Sequence, residues 1–403
     1  MTATNLAKAS AGLIFILILA TAIGPLAMSS FLPAIPEIQA EFNTSPAVAQ
    51  LTMSVSMVSM AVFALIYGAL ADRYGRRPVL LLGIAIAVVG SLICALAPSI
   101  TWAIAGRALQ ASGATSGMIL TRVIVHDVYG DKRTASVLGY ITASMTLAPI
   151  IGPVFGGLLI DLYDWRYVFV ALTIFAMGLW LALYAKLPET RPDGLAAARR
   201  LVPVSDFVSL LKRGLVRRLI LYAAVAHSTF MAFLGGVPFL IAVYYDLPAT
   251  MYALYVLPVP LGFMLGGLLA GRYSERFDRF AIMRWSAWAS MAAMMFAMLL
   301  LESSWHSPWV VCLPTGFVAL AIAFALPAVQ TEVMSEANSL AGSASGLLSF
   351  CQLVVGAVVA QAVGWTATFG PYGVVLMMLA CAILALILIL LPGNDKLTKL
   401  ATD

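Results

Sequence analysis

The sequence predicts an all-α membrane protein whose twelve transmembrane helices form two pseudo-symmetric six-helix bundles. Of its 403 residues, 62% are hydrophobic and 10% are charged, whereas soluble domains are about 45–50% apolar and about 25% charged. The apolar residues fall into twelve runs, each close to the roughly 20 residues that a helix needs to cross a bilayer. A stretch with glycines and arginines at 68–78 recurs at 267–277, which indicates a duplicated half.

The distribution of basic residues along the twelve runs predicts the topology. Lys and Arg are concentrated before the first run, after the even-numbered runs and in the C-terminal tail, and Arg166 is the one that follows an odd-numbered run. Because basic loops stay on the cytoplasmic side, both termini are expected to be cytoplasmic. The runs lie near 11–33, 48–70, 79–98, 101–125, 135–160, 167–187, 218–243, 250–271, 281–301, 308–331, 339–363 and 371–391.

The longest connection between runs, residues 188–217, is rich in arginine. It separates a predicted N-terminal bundle, 1–187, from a predicted C-terminal bundle, 218–403. A solvated basic linker that fixes orientation explains this composition. We expect cargo to be held near mid-membrane in the cleft between the two bundles.

The loop between the second and third runs reads GALADRYGRRP over 68–78. Its two glycines permit close helix approach and a sharp turn. The pattern G-x-L-A-D-R-x-G-R-R-P resembles the signature loop of the major facilitator superfamily, which implies the fold of those transporters. The resemblance also implies a cytoplasmic latch in which Arg76 pairs with Asp127 and Asp72 lies near a helix end. The predicted latch residues are Gly68, Asp72, Arg73, Gly75, Arg76, Arg77 and Asp127.

Two further motifs lie in the fourth and fifth runs. Arg107 and Gln110 belong to a stretch similar to the R-x-x-Q-G-x-G motif of proton-coupled antiporters, with Ala111 in place of a glycine. An arginine inside a span is unfavourable unless it faces a cavity or a partner. The fifth run resembles the G-P-x-x-G-G motif of exporters, in which the proline bends the helix and the glycines allow tight packing. Its motif residues are Gly152, Pro153, Gly156 and Gly157.

Other side chains inside the runs are candidates for contact with cargo or protons. Met57 belongs to a methionine stripe beside hydroxyl residues, which suits either a cavity for varied shapes or plain packing. His227 is a lone intramembrane histidine, which is either structural or a proton carrier. The candidate residues are Ser29, Met57, Arg107, Gln110, His227, Phe230, Met231, Tyr255 and Gln352.

The whole chain resembles the Bcr/CflA branch of twelve-span drug:proton antiporters, with one departure. That branch carries an aspartate in the first span where this sequence has Ser29, and none of the 18 acidic residues lies deep in a run. Proton carriers inside membranes are normally carboxylates. Two hypotheses follow: His227 or Asp127 carries the proton, or Arg107 binds an anionic cargo directly.

These features predict a secondary active transporter that exports a drug, toxic compound or metabolite by alternating access in exchange for protons. Multidrug efflux and antibiotic resistance are the corresponding functions. The alternative is a specific transporter for uptake or exchange of an anionic or carboxylate-bearing metabolite held by Arg107, without proton antiport. An enzyme is not expected, since the sequence has no H-E-x-x-H or G-x-S-x-G motif, and no P-loop points to ATP as the driving force.

The expected environment follows from the same features. We expect a monomer in the lipid bilayer, with a small-molecule substrate and protons as partners, and with no cofactor, metal or nucleic acid. The resemblance implies a multi-pass protein of the bacterial inner (cytoplasmic) membrane. The four cysteines lie inside apolar runs and are expected to act as packing residues.

Overall fold

A computed structural model describes residues 11–191, 204–274, 276–303, 305–366 and 369–391. Within these ranges the chain is helical, and ten helices are long and apolar enough to span a membrane. Contacts between residues divide the chain into two compact units. Unit 1 comprises the described residues of Met1–Val202 and Pro248–Ala253, and unit 2 comprises those of Pro203–Leu247 and Leu254–Asp403.

Unit 1 contains the first six helices of the chain. The side chain of Ser45 accepts a hydrogen bond from the Val48 amide over 3.3 Å and so caps the start of α3, where Pro46 occupies the first helical position. The helices are α1 (Ala11–Phe31), α2 (Ile35–Glu41), α3 (Pro46–Tyr74), α4 (Arg76–Ala95), α5 (Ile100–Leu162) and α6 (Trp165–Lys186).

Helix α5 covers both the fourth and the fifth predicted runs without a break. A straight helix of its 63 residues would be about 95 Å long, three times the roughly 30 Å hydrocarbon core. Gly117 and Gly156 would be about 58 Å apart along a straight helix, yet they lie against Ala20 and Ser30 of α1, which are only about 15 Å apart along that helix. The chain therefore doubles back within α5. The ten spans and the two arms of α5 correspond to the twelve predicted runs.

Glycines bring the first arm of α5 into main-chain contact with its neighbours. A Cβ built on Gly117 would lie 1.8 Å from the carbonyl oxygen of Ala20 in α1. A Cβ built on Gly113 would lie 2.4 Å from the amide nitrogen of Ala87 in α4. These contacts leave no room for a side chain, so α1, α4 and α5 pack as closely as helices can.

An ion pair joins α2 to the start of α6. Arg166 Nη2 lies 2.6 Å from Glu41 Oε1, and the same guanidinium donates to the carbonyl oxygen of Ala97 over 3.2 Å. Arg166 is the one basic residue that follows an odd-numbered run. Since its charge is paired with a carboxylate, its position is compatible with the topology that the other basic residues predict.

The remaining helices belong to unit 2, except for the first residues of α9, which belong to unit 1. Part of the predicted linker, 188–217, is itself a helix, α7. The eighth predicted run is interrupted at Leu257, where Pro258 and Pro260 remove backbone donors. The helices are α7 (Val204–Lys212), α8 (Gly214–Phe239), α9 (Ala249–Val256), α10 (Pro258–Tyr273), α11 (Arg279–Leu301), α12 (Trp309–Ala337), α13 (Ala341–Thr366) and α14 (Gly370–Leu390).

The two units share an arginine–carboxylate pair in the same relative place. In unit 1, Arg76, the first residue of α4, lies with Nε 3.2 Å from Asp127 Oδ2 of α5. In unit 2, Arg279, the first residue of α11, lies with Nη1 2.9 Å from Glu332 Oε2 of α12. The third and fourth spans of each unit are therefore tied in the same way. This agreement supports the pseudo-symmetry of the two six-helix bundles.

Candidate functional site

Arg107 is buried inside unit 1, with 2% of its surface exposed. Its Nη1 donates to the side-chain oxygen of Gln110, one turn along α5, and to the carbonyl oxygen of Ala27 over 3.4 Å. Gln110 in turn donates from Nε2 to Ser91 Oγ of α4 over 2.7 Å. The predicted residues Arg107 and Gln110 therefore belong to one hydrogen-bonded network that joins α1, α4 and α5.

Aromatic rings, rather than a carboxylate, surround the Arg107 guanidinium. Its central carbon lies 4.1 Å from the ring centroid of Phe31 and 5.9 Å from that of Phe169. No carboxylate of the described residues bonds to Arg107, and its Nε–H has no acceptor among them. Cation–π contacts are favourable, especially when desolvated, but they leave the positive charge without a counter-ion. Neither Phe31 nor Phe169 was predicted to lie at this site.

Ser29 faces the second arm of α5 instead of Arg107. Its hydroxyl donates to the carbonyl oxygen of Pro25 over 2.8 Å and also lies 3.0 Å from the carbonyl oxygen of Ala148. A Cβ built on Gly152 would lie 2.0 Å from Ser29 Oγ. The serine at this position therefore joins α1 to the second arm of α5, and it fits there because the facing residue is glycine.

The glycines of the exporter-like motif of α5 make further close contacts with neighbouring helices. A Cβ built on Gly156 would lie 2.0 Å from the carbonyl oxygen of Ser30, and one on Gly157 would lie 2.6 Å from the carbonyl oxygen of Ala249, also in unit 1. Pro153 lies within the helical assignment of α5. The tight packing that these glycines predict is present at both positions.

Arg76 lies between two carboxylates at the junction of α3 and α4. Its Nη1 is 2.6 Å from Asp72 Oδ1, and its Nε is 3.2 Å from Asp127 Oδ2. The Arg76 side chain is buried, and charge-assisted hydrogen bonds of this kind are about twice as strong as neutral ones. The predicted contact between Arg76 and Asp127 is therefore present, and it ties α3, α4 and α5 together.

The turn between α3 and α4 consists of Gly75 alone. Its φ of +103° is a conformation that residues with side chains rarely adopt. The side chain of Glu189 accepts hydrogen bonds from the backbone amides of Arg76 and Arg77, over 2.9 and 3.2 Å. This carboxylate satisfies free amides at the positive end of α4. Glu189 was not predicted as a partner of this turn.

The other predicted latch residues have separate contacts. Arg77 donates from Nη2 to the carbonyl oxygen of Tyr184 over 2.8 Å, and the carbonyl oxygen of Arg73 accepts a hydrogen bond from Arg191 over 3.1 Å. The close helix approach predicted at Gly68 is wrong, since no described atom would lie within 4 Å of a Cβ there. Gly68 faces away from the neighbouring helices, so its lack of a side chain is not needed for packing.

An aromatic cluster surrounds His227 in unit 2. The ring centroids of His227 and Phe230 are 6.0 Å apart, and those of Phe230 and Phe263 are 4.9 Å apart. Within the described part of the chain, no carboxylate forms an ion pair with His227. The structure therefore brings together two predicted residues, His227 and Phe230, and adds Phe263, which was not predicted.

The remaining predicted residues do not join either cluster through a described hydrogen bond or ring contact. Met57 and Met231 are buried in their own units, as expected of packing residues. Tyr255 packs against Trp309, with ring centroids 4.8 Å apart. Gln352 is partly exposed on α13. Their roles in cargo contact stay predictions.

Comparisons with known proteins agree with this architecture. A profile of the Major Facilitator Superfamily matches residues 17–360. The chain is 29% identical over 378 residues to a Bacillus subtilis protein named uncharacterized MFS-type transporter YdgK, covering 93% of this chain and 94% of that one. It is 26% identical over 354 residues to multidrug resistance protein D of Escherichia coli, strain K12, covering 87% of each chain.

A solved structure shows the same fold at low sequence identity. The D-xylose-proton symporter superimposes with a TM-score of 0.73 over 93% of this chain and 96% of that one, at 14% identity, so this likeness concerns the fold alone. The profile match covers most of the chain and includes both motif-bearing arms of α5. The chain belongs to the Major Facilitator Superfamily, a family of membrane transporters and not of enzymes.

Proposed function

We propose that this protein exports small organic molecules across the bacterial inner membrane. The observation that carries the proposal is the exporter-like motif of α5, whose Gly156 fits directly against the Ser30 backbone. The resemblance of this motif to that of exporters favours export, since importers of the superfamily generally lack it. The similarity to a protein named multidrug resistance protein D gives independent support.

Alternating access is the mechanism that we propose for this export. Two bundles, 1–187 and 218–403, rock about a central site that opens to one side of the membrane at a time. In this scheme the ion pairs of Arg76 with Asp72 and Asp127 hold the cytoplasmic ends of α3, α4 and α5 in one arrangement. The pairs would then belong to the latch that stabilises one state of the cycle.

We propose protons as the coupling ion, and His227 as the first candidate to carry them. Among the described residues, the buried charged side chains are Arg76 and Arg107, and no carboxylate is buried as deeply. Asp127 has 10% of its side chain exposed and is already paired with Arg76. Within the described ranges no charged side chain pairs with His227, and imidazole changes its charge near physiological pH when unperturbed.

A second candidate function is transport of a carboxylate-bearing metabolite held by Arg107. The observation that favours it is the buried guanidinium without a carboxylate partner, whose Nε–H lacks an acceptor among the described residues. A carboxylate of the cargo would supply the missing negative charge and accept two hydrogen bonds from the planar fork. Proton antiport would not be needed in that case.

The direction of transport and the charge of the substrate can be tested in cells. The protein is expressed in a bacterial strain that lacks its own multidrug exporters, and the accumulation of cationic, neutral and anionic fluorescent compounds is measured. Export predicts lower accumulation of at least one compound than in cells that express Asp72→Asn, a variant that should insert normally but lose the latch. Accumulation that is equal or higher for every compound would refute export.

The second candidate is tested by binding to purified protein. Thermal shifts are measured with organic acids and with their uncharged amides, for the parent protein and for Arg107→Lys. Lysine keeps the charge but not the bidentate geometry, so a carboxylate held by Arg107 should bind less tightly to the variant, while amide binding should be unchanged. Equal binding of the acids to both proteins would exclude this function.

A further inference from the structure

Helix α7 (Val204–Lys212) presents an apolar stripe that no described residue covers. Val204, Val208 and Leu211 are 61%, 49% and 37% exposed. Their spacing of four and three residues places them within about 60° of one another on a helix of 3.6 residues per turn. Three exposed aliphatic side chains on one side of a helix of nine residues form a continuous apolar face.

The opposite side of α7 is fixed to unit 2. Leu210 is fully buried in the apolar core of that unit, and Phe207 packs against the same core. Asp206 Oδ2 accepts a hydrogen bond from Ser343 Oγ of α13 over 3.1 Å. Because these contacts set the rotation of α7 about its axis, the stripe cannot turn inward to bury itself.

A third face of α7 is polar and cationic. Ser209 and Lys212 are exposed, and on a helical projection they lie on the side of the stripe away from the protein. Among the described residues, no carboxylate forms an ion pair with Lys212. The helix thus has three faces: one packs against unit 2, one is apolar and exposed, and one is polar. Lys212 lies between the apolar face and the polar face.

The chain geometry holds α7 next to the beginning of a membrane span. A single extended residue, Arg213, separates it from α8, which begins at Gly214 and is one of the membrane-spanning helices. One residue spans at most about 3.6 Å. Arg217 and Arg218 are the fourth and fifth residues of α8, so the apolar part of that span begins more than one turn into the helix. Helix α7 is therefore tethered next to the charged end of a membrane span.

We propose that α7 lies in the membrane surface, with Val204, Val208 and Leu211 inserted among the acyl chains and Lys212 against anionic phospholipid headgroups. Interfacial helices combine an apolar face with basic residues in this way. The distribution of Lys and Arg predicts that this surface is the cytoplasmic leaflet, where anionic lipids attract polybasic segments. Through Ser343, the lipid surface would then hold the beginning of α13.

Spin labels on adjacent residues test the proposal in lipid nanodiscs. The full chain carries a single cysteine, Val208→Cys or Ser209→Cys, in a background whose native cysteines are replaced by alanine. If that background expresses poorly, Cys351, the one native cysteine that is not fully buried, is replaced alone. Val204→Cys repeats the measurement one turn earlier on the stripe.

The expected result is a contrast between neighbours in nanodiscs that contain phosphatidylglycerol. Oxygen, which concentrates in lipid, should speed the relaxation of labels at 204 and 208 more than that of the label at 209. A water-soluble nickel chelate should speed the relaxation of the label at 209 more than that of the other two. Lys212→Gln should lower the ratio of lipid-inserted to water-exposed signal at 208 about fivefold, since one cation near an anionic surface contributes about 1 kcal/mol. The same variant should have no effect in phosphatidylcholine alone.

Three results would overturn the proposal. Equal nickel accessibility at 208 and 209 would show that the stripe faces water. Labels at 204 and 208 that are shielded from both reagents would show that protein covers the stripe, either residues 192–203 of the same chain or a second copy. An unchanged ratio in Lys212→Gln with phosphatidylglycerol would show that the headgroup charge is not recognised.

Discussion

Replacing Gly156 with alanine tests whether main-chain contact between α1 and α5 determines the stability of unit 1. A Cβ at this position would lie 2.0 Å from the Ser30 carbonyl oxygen and 2.8 Å from its carbon, whereas ordinary contact begins at 3.4 Å. The second arm of α5 must therefore move away from α1 by about 1.4 Å. Because the clash is with backbone, no rotamer change can relieve it. Overpacking of this kind costs about 1–3 kcal/mol.

The matched control is Gly178→Ala in α6, where no described atom would lie within 4 Å of the new Cβ. Both substitutions add the same methyl group and the same helix preference, which favours alanine by about 0.5–1 kcal/mol. Unfolding is followed by intrinsic fluorescence of the purified protein during heating. A loss of 1–3 kcal/mol in a unit of this size lowers Tm by roughly 2–12 °C, so Gly156→Ala should melt below the parent and Gly178→Ala at or above it.

A single result would refute the packing account. If Gly156→Ala melts at the same temperature as Gly178→Ala or higher, α1 and the second arm of α5 do not touch at this position. The glycines of the motif would then have another role. Transport by Gly156→Ala would also be measured, since a stable variant without activity would separate a functional contact from a structural one.

Three further predictions concern the ion pairs and the lone histidine. Asp127→Asn leaves the buried Arg76 with one carboxylate and should destabilise the protein by about 1–3 kcal/mol, measured as a lower Tm; an unchanged Tm would contradict the pairing. Glu189→Gln keeps one acceptor oxygen but loses the charge at the start of α4, so it should cost about 0.3–1 kcal/mol, and the loss should disappear in high salt. His227→Ala should remove the pH dependence of transport in proteoliposomes between about pH 5.5 and 8; a profile identical to that of the parent would exclude His227 as the proton carrier.

The sequence predicted contacts best for charged residues and glycines inside the spans, because these residues are rare there and tolerate few positions. A guanidinium at the edge of a span needs a carboxylate, and the family resemblance implied that Asp127 is the partner of Arg76. The equivalent pair of Arg279 and Glu332 was not predicted. The second copy of the loop motif is degenerate, and its acidic and basic residues lie at other positions. Charge alone therefore predicts that a pair exists more readily than which residues form it.

The surroundings of Arg107 could not be predicted, for a physical reason. Phe31 and Phe169 belong to spans that are apolar on every side, so periodicity does not reveal which rings face the interior and which face lipid. The orientation of the Ser29 side chain could not be predicted for the same reason. The chain between the fourth and fifth predicted runs is also helical, which the polar composition of that stretch did not indicate.

The contacts of α1 limit how unit 1 can change shape. Main-chain atoms of α1 touch both arms of α5, and such contacts cannot adapt by changing a torsion angle of a side chain. A sliding motion of α1 along α5 would collide at Ala20 and Ser30 together, so these helices must travel as one stiff block. Bending is easier where helical hydrogen bonds are already interrupted, as at Leu257 between α9 and α10 and in the π-helical turn Leu240–Tyr244. A compound that wedges into those joints would be expected to arrest transport without competing with the cargo.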